Sequence, residues 1–131
     1  MNNTENLSPV EDNETLARFI FYARYIRNNK TVRENAFIPY PHQSLSVTRH
    51  TGLNETDLWD IGKNIATELI LQLYGRADIC ANIVRRKRLK IEPTATPRNH
   101  ANIIGWPTEK SEQKMIAIEL AESSNFVSLK S

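Results

Sequence analysis

The order of apolar and polar residues predicts a polar lead-in followed by short strands and two amphipathic helices. Up to about Asn13, after Met1, only Leu7 and Val10 are aliphatic, and Glu5, Glu11 and Asp12 have no basic residue among them. Such a stretch buries too little apolar surface to offset the entropy of ordering, so residues 1–13 are expected to be a disordered acidic tail and residues 14–131 a single domain. From Thr15 to Arg27 the residues Leu16, Phe19, Ile20, Ala23 and Ile26 sit at helical spacing, while Phe19, Phe21, Tyr22 and Tyr25 favour strand. The expectation is a strand that gives way to helix. Pro39 and Pro41 bias their predecessors out of the helical region, which makes Phe37 to Pro41 a loop or an edge. Ser44 to Arg49 sets Leu45 and Val47 against Ser44, Ser46 and Thr48, the period of a half-buried strand.

The strongest periodicity begins at Asn54, a capping residue followed by Glu55 and Asp57 in the first turn, with Leu58, Ile61, Ile65, Leu69 and Leu73 at helical spacing and Gly75 as the stop. That pattern predicts a helix of about twenty residues. Ala77 to Val84 alternates as a strand, as do Leu89 and Ile91 before Pro93 and His100 to Trp106 before Pro107. Thr108 then caps a last helix whose stripe is Met115, Ile116, Leu120 and Ala121, ending near Ser123. Strands in two clusters with a helix after each predict an α+β fold: a small antiparallel or mixed sheet of three to four strands with two main helices on one face.

Composition narrows the class without changing that picture. The chain has 131 residues, 40% hydrophobic and 24% charged, a length for one core and a balance unlike disordered or collagenous chains. No window is long and apolar enough for a membrane span, and the start lacks a signal-peptide pattern. Cys80 is the single cysteine, which is consistent with the reducing cytoplasm.

The net charge of +2 hides segregation. Residues 16–33 contain Arg18, Arg24, Arg27, Lys30 and Arg33 without an acid, and Arg85, Arg86, Lys87, Arg88 and Lys90 form a run broken only by Leu89. A charged turn of this density attracts phosphates or an acidic protein surface, with Arg76 and Arg98 nearby in sequence as further contacts. Tyr22, Tyr25 and Tyr40 beside the first basic segment add the aromatic and basic mixture of single-strand nucleic-acid surfaces.

Other chemistries are constrained by spacing. The four glycines, Gly52, Gly62, Gly75 and Gly105, are too far apart to cradle a phosphate, and His42, His50 and His100 come from separate segments without an acid at ligand spacing. No cofactor and no metal are therefore expected. Two imidazoles can nevertheless serve as general acid and base on a phosphodiester while arginines hold the phosphate, with His100 and either His42 or His50 as the pair and Arg49 or Arg76 in the clamp. The tetrads that begin at His42 and His100 depart at Gln43 and Asn102 from those of two-histidine phosphoesterases, so only the chemistry is carried forward. The leading expectation is a small soluble cytoplasmic binding module that contacts nucleic acid or an acidic protein through the basic turn. A metal-independent phosphodiesterase or ribonuclease is the alternative, and an interaction or regulatory subunit is the third reading.

Overall fold

A computed structural model describes residues 7–129. Six strands, β1 (Thr15–Ile20), β2 (Leu45–Arg49), β3 (Gly75–Cys80), β4 (Lys90–Pro93), β5 (His100–Ile104) and β6 (Asn125–Ser128), form one sheet in the order β4-β5-β2-β1-β3-β6. Every neighbouring pair is antiparallel. Three helices accompany them: α1 (Glu55–Leu69), α2 (Ala81–Arg86) and α3 (Lys110–Ser123). The fold is thus α+β with an antiparallel sheet, but with six strands where three to four were expected. The β6 strand, only four residues long, carries no alternation strong enough to announce itself.

The helices occupy both faces, which corrects the expectation of two helices on one. Leu16 and Ile20 of β1 point into a core that contains Ala81 and Val84 of α2 and Ala117, Leu120 and Ala121 of α3. Ala17 and Phe19 point the other way, against Leu58, Ile61 and Ala66 of α1. Topology explains the split. Both β2–α1–β3 and β5–α3–β6 link parallel strands and move across the sheet in the same sense, but β2 and β5 run in opposite directions. If such crossovers share one hand, their helices must lie on opposite faces. The β3–α2–β4 link moves back across the sheet from a strand parallel to β2, and the same rule puts α2 on the face of α3.

Local chemistry sets the element ends. The Asn54 side chain accepts from the Asp57 amide at 2.8 Å and starts α1. The helix ends at Leu69, earlier than its apolar pattern predicts, because Ile70 turns left-handed at φ 57° while its amide bonds back to Ala66 and Thr67. Leu73 is buried beyond the helix, and Leu69, expected on the core stripe, is 55% exposed. Gly62 has structural cause: a Cβ there would stand 2.6 Å from the Phe19 ring, so α1 lies directly on β1. On α3 the buried positions are Gln113, Ala117, Leu120 and Ala121, and Met115 faces solvent.

The segment expected as a tail lies partly within the described residues. Residues 1–6 lie outside the described residues, but 8–13 run against the domain, with Val10 only 5% exposed. Their anchor is Arg49, fully buried at the end of β2, which donates to both carboxylate oxygens of Glu14 at 2.8 and 2.7 Å and to the carbonyls of Ser8 and Pro9. Asp12 O accepts from the Asn82 amide at 3.0 Å. Backbone carbonyls together with the Val10 side chain hold residues 8–13.

Candidate functional site

The basic run does not form one uniform turn. Ala81 and Val84, three apart and both buried, make its first part helix α2, so the strand expected to continue to Val84 stops at Cys80. Arg85 and Arg86 fall in the last helical turn, where cations offset the negative end of the helix dipole. Lys87 caps the helix, Arg88 takes φ 66°, buried Leu89 plugs the core, and Lys90 opens β4. Arg85 is held by Asp12 at 2.7 Å and by the Val10 carbonyl at 2.6 Å, and Lys87 pairs with Glu119 at 3.2 Å. Arg86, Arg88 and Lys90 are exposed and have no ion pair among the described residues. The five-residue cluster therefore presents three open cations on a turn that the other two fasten down.

Arg76 and Arg98 do not join them. Arg76 is buried on the α1 side of β3, where it donates to Asp78 at 2.9 Å and to both oxygens of Glu55 at 3.1 and 3.0 Å, with its guanidinium 4.6 Å over the Trp59 ring. Burial works against its charge, but the bonds to Glu55 and Asp78 outweigh that and raise its pKa. The Arg76 bond in turn holds the Glu55 carboxyl below its usual range. Two carboxylates already neutralise this arginine. Arg98 is exposed in the loop before β5, beside a depression that also contains Asp57, Asp60 and Glu68.

The histidines are not brought together as an acid and base pair. His42 is exposed in the loop before β2. His50 follows β2, and its Nε2 meets Asp78 Oδ1 at 3.0 Å, two strands away toward β3. His100 opens β5 with its Nδ1 2.7 Å from Thr94 Oγ1, on the β4 side. The two rings are thus drawn in opposite directions across the sheet. Arg49, bound to Glu14, points to the opposite face from His100.

A different arrangement emerges beside α1, which covers β1 and β3 but leaves the same face of β2, β5 and β4 open. Ser46, Lys90 and Glu92 are exposed there, and His100, Asn102 and Ile104 are half-exposed. Where helix and open strands meet lies a groove of about 280 Å³ walled by Phe19, Phe21, Ile65 and Leu69 and edged by Arg18, Ser46, Thr48, Glu68 and His100. At its floor, β1 and β2 pair only at Leu16↔Arg49 and Ala17↔Thr48. Past that point Arg18 reaches across, donating through Nε to Ala36 O at 2.7 Å and through Nη1 to Ser46 O at 2.9 Å. Ser46 was legible as an outward strand position, whereas Thr48, on the same face by alternation, is buried. Arg18 was hidden by the mixed helix and strand pattern around it.

Fold and site define a class: an α+β domain with a half-covered antiparallel sheet, open cations at the β4 edge and a groove beside α1. Comparison with protein-family models, with curated proteins and with solved structures finds no match.

Proposed function

We propose that the protein is a small cytoplasmic binding module that contacts a nucleic acid through Arg86, Arg88 and Lys90. The observation that carries this reading is that three exposed, unpaired cations stand within five residues on a turn pinned by Arg85–Asp12 and Lys87–Glu119. Pinning reduces the entropy lost on binding, and exposure leaves the charges free to displace counterions. Lys90 alternates with core-facing Ile91 and so points to the uncovered face of the sheet, which gives a strand of nucleic acid a polar surface to follow. The lone Cys80 fits a reducing compartment, and no helix among the described residues is long and apolar enough to cross a membrane.

The test is a salt titration. Three phosphate contacts give a log affinity against log salt slope near −2.7 on duplex or about −2.1 on single strands. The triple variant R86A/R88A/K90A should abolish most of that slope while the melting temperature stays near wild type, because all three side chains are exposed. No binding at low salt, or a slope unchanged in the triple variant, overturns this reading and leaves an acidic protein surface or a regulatory subunit as the role to test.

A further inference from the structure

Most buried polar side chains of this protein are matched. Arg49 has Glu14 and the carbonyls of Ser8 and Pro9, Arg76 has Glu55 and Asp78, and Asn99 donates to the carbonyls of Arg49 and Thr51. The groove beside α1 is different. Arg18 uses Nε and Nη1 on two carbonyls, and among the described residues Nη2 has no partner. The hydroxyls of Ser46 and Thr48 and the Nε2 of His100 make no hydrogen bond to a described residue either, although all four residues line the same groove. Open donors and acceptors converging beside an apolar wall are the usual composition of a small-molecule site.

Two further observations define the chemistry. Arg18 forms no ion pair with any described carboxylate, and burial, opposed only by Tyr25, pushes its pKa down to about 10. It is therefore a cation at neutral pH with no described carboxylate in contact, Glu68 being the acid that lines the same groove. His100 is the converse. Burial lowers its pKa, which favours the neutral ring. Thr94 Oγ1 lies 3.0 Å from the Thr96 carbonyl and 2.7 Å from His100 Nδ1. A hydroxyl has one proton, and the carbonyl can only accept, so the arrangement that satisfies both contacts has Thr94 donating to Thr96 and His100 Nδ1–H donating to Thr94. His100 Nε2 is then a lone-pair acceptor.

We propose that this groove binds a small organic oxyanion, a phosphomonoester or carboxylate on an apolar body, with the head on Arg18 and Ser46, a hydroxyl on His100 Nε2, and the body against Phe21, Ile65 and Leu69. Guanidinium and hydroxyl donors suit an oxyanion. The acceptor on His100 suits a hydroxyl on the ligand, and the apolar wall of Phe21, Ile65 and Leu69 selects against a bare inorganic anion with no body to cover it. The volume of about 280 Å³ fits a ligand at the small end of the usual range. This site is independent of the cations at the β4 edge.

The experiment is calorimetric titration of the full chain with four probes: phenyl phosphate, benzoate, phenol and inorganic phosphate. Single-site saturation is expected with phenyl phosphate or benzoate, whichever head the site prefers. Phenol and inorganic phosphate should bind at least about 10-fold more weakly, phenol for want of the charge-assisted hydrogen bonds of the head and inorganic phosphate for want of a body that covers the apolar wall. Leu69→Trp, at an exposed position on the groove wall, should block binding and leave the fold intact, and Leu69→Ala should not block it. Ser46→Ala should weaken the anionic probe by several-fold and leave phenol unchanged. Arg18→Gln should abolish anion binding, and its circular dichroism spectrum checks that the strand ends remain closed. Equal binding of phenol and the anions, no saturable binding of either anion, or indifference to Leu69→Trp overturns the proposal. So does loss of anion binding in R86A/R88A/K90A, which would move the anion to the basic turn.

Discussion

Three arginines meet three different electrical environments. Among the described residues Arg76 is neutralised by two carboxylates and Arg18 by none, and Arg49 meets Glu14, which is itself buried. Breaking a buried pair leaves the surviving charge stranded, so Arg49→Met should destabilise the fold by about 3–5 kcal/mol in urea denaturation at pH 7. Burial pushes the Glu14 pKa up, but the bonds from Arg49 and from the Glu11 amide outweigh it and leave the folded value below the ordinary one. A lowered folded pKa contributes stability that is present above the unfolded value, near 4.5, and is lost as pH falls through the folded value. Stability should therefore decline more between pH 5 and pH 3 in the wild type than in Glu14→Gln, read from melting temperatures. Glu55 has the same sign of shift, but it is largely exposed and adds little. None of this was legible from the sequence. Arg49 has the charge of a phosphate clamp, and its partner lies 35 residues away.

At the scale of elements, period-2 alternation found β2, β4 and β5 close to their observed limits, because each has one buried and one open face. Periodicity failed where apolar residues continue past a backbone event. Ile70, Leu71 and Leu73 extend the apolar pattern of α1, yet the helix stops where Ile70 turns left-handed. Ile70 is also 90% exposed, so its side chain contributes almost nothing to the core. A β-branched residue at φ 57° carries backbone strain that glycine does not. Ile70→Gly should accordingly stabilise the fold by about 0.5–1 kcal/mol, despite glycine's greater freedom in the unfolded chain. A matched pair of urea curves checks it, and a destabilised variant would mean that the cap geometry is not the native one. The short α2 was missed for the opposite reason: Ile79, Ala81 and Ile83 alternate like a strand, whereas the buried pair is Ala81 and Val84.

Across the whole molecule, the segment before β1 is tied to the domain by backbone carbonyls and one apolar side chain. Removing residues 1–12 takes away the Ser8 and Pro9 carbonyls from Arg49, the Val10 side chain from the core, and Asp12 from Arg85. The melting temperature should fall by at least about 4 °C, the shift that 1 kcal/mol produces in a domain of this size. An unchanged value would show that Arg49 finds other acceptors. Topology was equally hidden, since local patterns say which residues are strands but not that β3 pairs with β6 across some fifty residues of chain. That strand order has a consequence during synthesis. The centre of the sheet, β2-β1-β3, is complete by Cys80, but the apolar faces of Leu16, Ile20, Val47 and Ile79 await α3, translated more than twenty-five residues later. While the ribosome is still extending the chain through β4 and β5, these residues are exposed to any chaperone that recognises apolar strands, and an arrest before α3 leaves a product with no way to close its core.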